Sequence, residues 1–188
     1  MKLIAITGGI GSGKSVVSQL LRVMGYPVYD CDSHAKLLMA ESTQLKLQLQ
    51  KAFGEDIVVA GEVQRQKLSK IVFADKTKLM KLNSIVHPNV RIDIQSWAAR
   101  QTTECAFVET AILSESGVDK LVDAIWLVEA PTEIRIKRVM ARNNLTEEEV
   151  KRRINSQNSK LQFAIDMAKI ENYGDHSIIK QVTDLINE

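Results

Sequence analysis

Eight consecutive residues, Gly8-Gly9-Ile10-Gly11-Ser12-Gly13-Lys14-Ser15, carry the densest chemistry in the sequence. They fit G-x-x-x-x-G-K-[ST] at every fixed position. That spacing suits an anion: backbone N–H groups of a glycine loop and of the helix start converge on it, helped by the helix dipole. A side chain at Gly11 or Gly13 would crowd the backbone's approach to phosphate or demand a disfavoured φ. Lys14 supplies a mobile cation for outer phosphates, and Ser15 a hydroxyl for the Mg²⁺ that a nucleotide carries. The alternative, a glycine-rich turn that binds nothing, leaves the Lys-Ser pair and the preceding strand without a reason. The stretch reads as a phosphate-binding loop.

Two further groups of residues could take part. Asp30-Cys31-Asp32 closes an apolar stretch, Tyr26-Pro27-Val28-Tyr29. In open α/β sheets ligands sit beyond the carboxyl ends of the strands, which puts both aspartates near the phosphates by topology. The rival reading is that Asp30 or Asp32 caps a helix beginning at Ser33. Late in the chain come Arg135, Lys137, Arg138, Arg142, Lys151, Arg152 and Arg153. Arg138 and Arg142 stand four apart and share a helix face. Such a run is either a solvated face or a lid whose arginines reach the transferring phosphoryl group. His34 and His87 have no Cys or carboxylate at metal-ligand spacing, so the metal expected here is Mg²⁺ brought in with the nucleotide.

The elements that must position these residues follow from periodicity. Leu3-Ile4-Ala5-Ile6 reads as a buried strand and Ser15 to Leu21 as the start of a helix that stops at Met24-Gly25. From Ser33 to about Gln101 the pattern is mostly helical. Gln44 to Phe53 is one helix, and Ile57 to Val63 an irregular or hairpin-like piece. Arg65 opens a helix with Leu68, Ile71, Val72 and Phe73 on one face. Lys76 to Val86 follows; Pro88 pushes His87 out of the helical region, and a new helix runs on through Ile92, Ile94 and Trp97. About seventy residues between two strands far exceed a simple crossover, so this stretch is expected to be an inserted helical subdomain for a second substrate. Cys105 to Val108 and Ala124 to Val128 are strands, and Thr132 caps a helix running to Met140. Thr146-Glu147-Glu148-Glu149 has the capping-box form. Ile170 to Gly174 reads as a turn, Ser177-Ile178-Ile179 as the last strand, and Gln181 to Ile186 as a closing helix.

Composition narrows the field. The chain has 188 residues, 45% hydrophobic and 26% charged, which suits one soluble domain. A net charge of +2 gives no reason to expect nucleic acid or an anionic membrane as partner. No apolar run approaches a membrane span, and the first strand leaves no room for a signal peptide. Cys31 and Cys105 are read as two reduced thiols of a cytoplasmic protein.

Taken together, these residues resemble the dephospho-CoA kinase family over nearly the whole chain. The resemblance is carried by Thr7 to Ser15, Asp30-Cys31-Asp32 as the family's Asp-x-Asp, Arg65 with Leu68 and Ile71-Val72-Phe73, and Leu82…His87-Pro88. Arg138…Arg142, Arg153-Ile154…Gln157 and Asn172…Gly174 complete it. It implies transfer of the γ-phosphate of ATP to the ribose 3′-hydroxyl of dephospho-CoA, the last step of coenzyme A synthesis, with Mg²⁺ accompanying ATP. It implies that Gly11, Ser12, Gly13, Lys14, Ser15 and Val16 bind ATP with Arg142 and Asn172. It gives catalytic roles to Asp32, Lys14 and Arg138, and acceptor contacts to Asp32, Arg65 and His87. The chain departs from the family pattern at Ala111-Ile112-Leu113, where Pro-Leu-Leu is usual (the following Glu115 is kept), at Asp166-Met167 in place of Ala-Asp, and at Val16, often Thr. None of these removes a group the chemistry needs.

The expected fold is therefore α/β of the P-loop type, a five-stranded parallel sheet with helices on both faces. One domain, 1–188, would hold a helical acceptor-binding insertion at about 33–103 and a lid at about 138–160. The nearest rival is a kinase for another small acceptor, such as a nucleoside monophosphate or shikimate. A nucleotide-hydrolysing switch or motor is the rival from another class, and the chain has no Asn-Lys-x-Asp guanine signature and no long basic face.

Overall fold

The computed structural model describes residues 1–157 and 165–188. The last three positions of the expected lid, 158–160, lie outside the described residues. The chain divides into two compact units, one of residues Met1–Tyr29 with Arg100–Glu188, the other of Asp30–Ala99.

The first unit is built on a parallel sheet. Its strands are β1 (Lys2–Thr7), β2 (Val28–Asp30, whose last residue opens the second unit), β5 (Cys105–Glu109), β6 (Ala124–Glu129) and β7 (Met167–Glu171). They lie in the order β2-β5-β1-β6-β7. β1 is central, with Ile4 opposite Phe107 of β5 and Ala124 of β6. A strand covered on both faces needs a continuous apolar run rather than alternation, and Leu3 to Thr7 is buried at every position. Helices α1 (Lys14–Val23) and α9 (Ile178–Ile186) supply Val17, Leu21 and Val182 to a core with Ile4, Ile6, Phe107, Trp126, Val128 and Ile170. Phe107 meets Trp126 with ring centroids 4.9 Å apart.

Beyond the short helix α6 (Leu113–Ser116), a second cluster of the same unit joins α7 (Thr132–Asn143) and α8 (Glu147–Ser156) through Ile136, Val139, Val150 and Ile154. The capping box forms as its spacing requires: Thr146 Oγ1 accepts from Glu149 N, and the Glu149 carboxylate accepts from Thr146 N at 2.8 Å. Ile10 of the glycine loop packs against this cluster.

The second unit holds α2 (Cys31–Glu41), α3 (Thr43–Phe53), a hairpin of β3 (Val58–Val59) and β4 (Glu62–Val63), α4 (Arg65–Phe73) and α5 (Lys76–Ala98). Its core is Leu45, Leu49, Ile57, Leu68 and Val72.

The structure corrects four local expectations. Pro88 does not end a helix; α5 runs through it to Ala98. A proline in a helix interior costs about 3 kcal/mol. Val86, Val90 and Ile94 are buried on either side of it, and burying such a side chain contributes about 1.5–3 kcal/mol each, so the continuous helix wins. Phe73 is 77% exposed and lies off the buried face of α4. Thr132 is the first residue of α7 rather than its cap, which is Pro131. Finally, Ile170 and Glu171 belong to the fifth strand, β7, and Ser177 caps α9 by accepting from Lys180 N at 3.3 Å. As an edge strand β7 buries only Ile170, so it lacks the apolar run that marks a central strand, while Ile178, Val182, Leu185 and Ile186 recur at helical spacing.

One consequence concerns Pro88. It gives the Ser84 carbonyl no N–H, and its ring crowds that oxygen. Pro88→Ala is expected to raise the unfolding free energy by about 2 kcal/mol, measured by urea titration. A variant less stable than wild type would mean that the proline ring does packing that its backbone cost conceals.

Candidate active site

The glycine loop leaves the carboxyl end of β1, in the middle of the sheet, and passes into α1 at Lys14. Gly13 is the residue before the helix, in the left-handed region at φ 97°, and offers no side-chain cap. The first-turn N–H groups of α1 therefore receive no side-chain acceptor from this residue, which leaves the dipole's positive end open to an anion. Backbone approach fixes two other glycines, since a Cβ would meet Val128 O at Gly8 and Arg135 O at Gly11, while side-chain ends lie over two more. A Cβ on Gly13 would collide with Asn172 Nδ2, and one on Gly9 with the Arg135 guanidinium. Ser12 N closes the turn by donating to Gly9 O at 3.1 Å. The Ser12 side chain is buried, and its Oγ has no partner among the described residues.

Three cationic side chains rest on carbonyl oxygens of this segment. Lys14 Nζ donates to Gly8 O at 2.7 Å and to Gly9 O at 3.3 Å. Arg135 Nε donates to Ile10 O at 2.9 Å. Arg138 spans the loop and the turn after β7: its Nη1 lies 3.5 Å from Gly11 O and 3.4 Å from Ser12 O, and its Nη2 donates to Asn172 O at 2.9 Å. Asn172 adds its own amide, donating to Ser12 O at 2.8 Å. Burial pushes the Arg135 guanidinium below its ordinary pKa, and no carboxylate offsets that effect among the described residues. A neutral carbonyl accepts a hydrogen bond without cancelling the donor's charge. The loop thus keeps a positive field, which is what a polyphosphate requires.

The remaining residues expected at the site are placed as follows. Arg142 is exposed, and its Nε donates to Asn143 Oδ1 at 2.8 Å; Arg138, one turn earlier, is half-buried on the loop. Ser15 and Val16 lie exposed in the first turn of α1. In the second unit Asp30 caps α2. Its carboxylate accepts from Asp32 N at 3.0 Å, Ser33 N at 3.4 Å and Ser33 Oγ at 2.6 Å. Asp32, two residues on, is exposed, and its carboxylate has no partner among the described residues. The capping reading of the Asp pair therefore holds for Asp30, whose bonds begin the helix at Cys31 rather than Ser33. Arg65, at the start of α4, is exposed and donates through Nη2 to Lys36 O at 2.9 Å. His87 is half-buried within α5, and His34 Nδ1 lies 3.1 Å from Asp93 Oδ2.

Among the described residues no group of three or more His, Cys, Asp or Glu could hold a metal ion. No helix among them is long and apolar enough to cross a membrane. Sequence reasoning passed over Arg135 as one charge in a run and took Gln157 only as part of a motif. Gln157 Oε1 accepts from Ile10 N at 2.8 Å, a contact across most of the chain that no local pattern announces.

The packing of Asn172 against the loop yields a direct test. Gly13→Ala is expected to lower the unfolding free energy by about 1–3 kcal/mol, because alanine is strained at that φ and Asn172 must leave Ser12. Urea titration measures it, and a wild-type midpoint would show that Asn172 moves aside at no cost.

Comparison with known proteins gives the family and the fold. Residues 2–174 match the dephospho-CoA kinase family. A dephospho-CoA kinase of Bacteroides fragilis strain YCH46 is 38% identical, over 97% of this chain and 90% of that protein. The crystal structure of TT1252 from Thermus thermophilus superposes with a TM-score of 0.80 at 35% identity, covering 99% of this chain and 96% of that one. The dephospho-CoA kinase from Campylobacter jejuni has a TM-score of 0.68 at 25% identity, covering 100% of this chain and 96% of its own. A parallel sheet with its glycine loop at the end of the central strand, dressed by arginines of the helix after β6, is thus joined to a match over most of the sequence, and the chain belongs to the dephospho-CoA kinase family.

Proposed function

We propose that this enzyme transfers the γ-phosphoryl group of ATP to the ribose 3′-hydroxyl of dephospho-CoA, giving coenzyme A and ADP in the cytoplasm. The observation that carries the reading is the loop itself, with Lys14, Arg135 and Arg138 held on its carbonyl oxygens. Phosphoryl transfer asks a protein for positioning and charge neutralisation rather than covalent chemistry. Gly11 to Val16 take the ATP phosphates. Lys14 exchanges a carbonyl for a phosphate oxygen, and each charge-assisted bond of this kind is worth about 1.5–3 kcal/mol. Arg138 and Arg142 neutralise charge on the phosphates, and Asn172 holds the loop at Ser12. The exposed Ser15 hydroxyl is a hard oxygen donor of the kind Mg²⁺ takes. When bound, that ion screens the charge on the phosphates.

Asp32 orients the acceptor hydroxyl and takes its proton, with Arg65 and His87 as acceptor contacts. The bonding of the two aspartates supports this choice. Asp30 spends its carboxylate on the cap of α2, whereas the Asp32 carboxylate is exposed one step into the helix. In a loose transition state orienting the hydroxyl counts for as much as removing its proton.

Release of ADP that depends on dephospho-CoA tests the reading as a whole. Lys14→Ala should fold and lose more than about nine-tenths of that rate, since an outer-phosphate cation is gone; a variant that retains it would remove the loop from the chemistry. Asp32→Asn should lower kcat on the order of 10²-fold with ATP binding nearly intact. Asp30→Asn should act mainly on stability, at about 1 kcal/mol for a weakened cap. A near-normal kcat for Asp32→Asn beside an inactive Asp30→Asn would assign the hydroxyl to the other carboxylate.

A further inference from the structure

One residue of the phosphate loop is held through both of its backbone groups, which lie on two successive peptides, by side chains from the segment after β6. Ile10 N donates to Gln157 Oε1 at 2.8 Å, and Ile10 O accepts from Arg135 Nε at 2.9 Å. The Ile10 side chain packs against the cluster of Ile136, Val139, Val150 and Ile154 that joins α7 to α8. Ile10 is thus gripped by backbone donor, backbone acceptor and side chain at once. Glycines stand on both sides of it in sequence, and a chain flanked by glycine has the most backbone freedom to lose. Without a grip, the two peptides that flank Ile10 would turn readily, and each turn would re-aim the neighbouring N–H groups meant for phosphate.

Arg135 is an expensive residue to spend on a carbonyl. Its guanidinium is half-buried without a carboxylate partner among the described residues, and it lies so close over Gly9 that no Cβ fits there. A surface arginine with no task would turn to solvent rather than accept this desolvation. The bond to Ile10 O is what holds it there.

We propose that Arg135 and Gln157 are positioning residues of the phosphoryl-transfer reaction, clamping Ile10 by its C=O and its N–H so that the loop is preorganised for the ATP phosphates. This rests on the reading of the loop as the ATP site. Their contribution is to the free enzyme's loop geometry, so their loss falls on nucleotide binding before it falls on the chemical step. The clamp uses the hydrogen bond of Arg135; its charge adds to the field of the loop but does not hold Ile10. Glutamine separates these two, since its Nε2 stands as many bonds from Cα as the Nε of arginine, whereas methionine fills similar space with no donor.

The test uses the full-length chain. Arg135→Met is expected to raise KM for ATP about tenfold, the worth of one well-placed hydrogen bond, with KM for dephospho-CoA unchanged and kcat within about threefold. Arg135→Gln is expected to restore most of that loss. Gln157→Met should behave like Arg135→Met, and the double variant should cost less than the product of the two, because both singles loosen the same residue. Amide exchange at Ile10 supplies a readout that needs no nucleotide: in Gln157→Met it should speed up about tenfold. Unchanged Ile10 exchange in that variant overturns the clamp, even if Arg135→Met fails to fold. Equal damage from Arg135→Gln and Arg135→Met overturns it in favour of a role for the charge. A wild-type protein with a protected Ile10 amide that neither binds ATP nor turns over would instead refute the ATP reading and leave the clamp standing.

Discussion

A loop that binds polyphosphate must point N–H groups at the ligand, so its own carbonyls face the other way and need donors. In this protein those donors are cations and amides from distant parts of the chain: Lys14 for Gly8 and Gly9, Arg135 for Ile10, Arg138 and Asn172 for Ser12. One set of bonds therefore does two things. It satisfies carbonyls that the turn's own bond from Ser12 N to Gly9 O leaves over, and it gathers positive charge around the glycine loop. The glycines follow from close backbone approach and from φ: a Cβ would meet Val128 O at Gly8 and Arg135 O at Gly11, and Gly11 and Gly13 lie in the left-handed region at φ 78° and 97°.

The first unit can be understood as what holds those donors in place. The central strand β1 is buried along its length and hydrogen-bonded on both sides, which fixes the origin of the loop. Helix α7 follows the neighbouring strand β6, and its buried face, Ile136 and Val139, leaves Arg135 and Arg138 at the loop. Asn172 follows β7, whose place next to β6 is set by the register of Trp126 with Ala168 and Glu129 with Glu171. The Asn172 N–H itself donates to Glu129 O at 2.9 Å. A kinase site made this way relies on sheet register more than on loop sequence.

The second unit has its own core and its own logic. Asp30 begins it by capping α2, and the long helix α5 keeps going through a proline because burial on both sides outweighs the missing bond. Cap and carboxylate are separated there by two residues, so one aspartate serves structure and leaves the other exposed.

Much was legible from local pattern. The glycine loop, the strand before it, the capping box at Thr146 and the Asp-x-Asp pair are all short-range signals, because turns, caps and buried strands depend on neighbours in sequence. The family could be recognised for the same reason: its motifs are local. What local pattern misread was decided by burial. The edge strand β7 passed for a turn since it buries one residue, Ile170, and the start of α9 passed for a strand because its cap Ser177 and its first two residues, Ile178 and Ile179, make a short small-then-β-branched run. Pro88 looked like a boundary because a dipeptide rule cannot weigh a helix face it does not see. The partners of the loop lay furthest from view. Arg138, Gln157 and Asn172 are more than a hundred residues from the loop atoms they bond, and only the tertiary fold, by setting β1, β6 and β7 side by side, chose which charges of a basic run would rest on the loop's carbonyls, as Arg135 and Arg138 do.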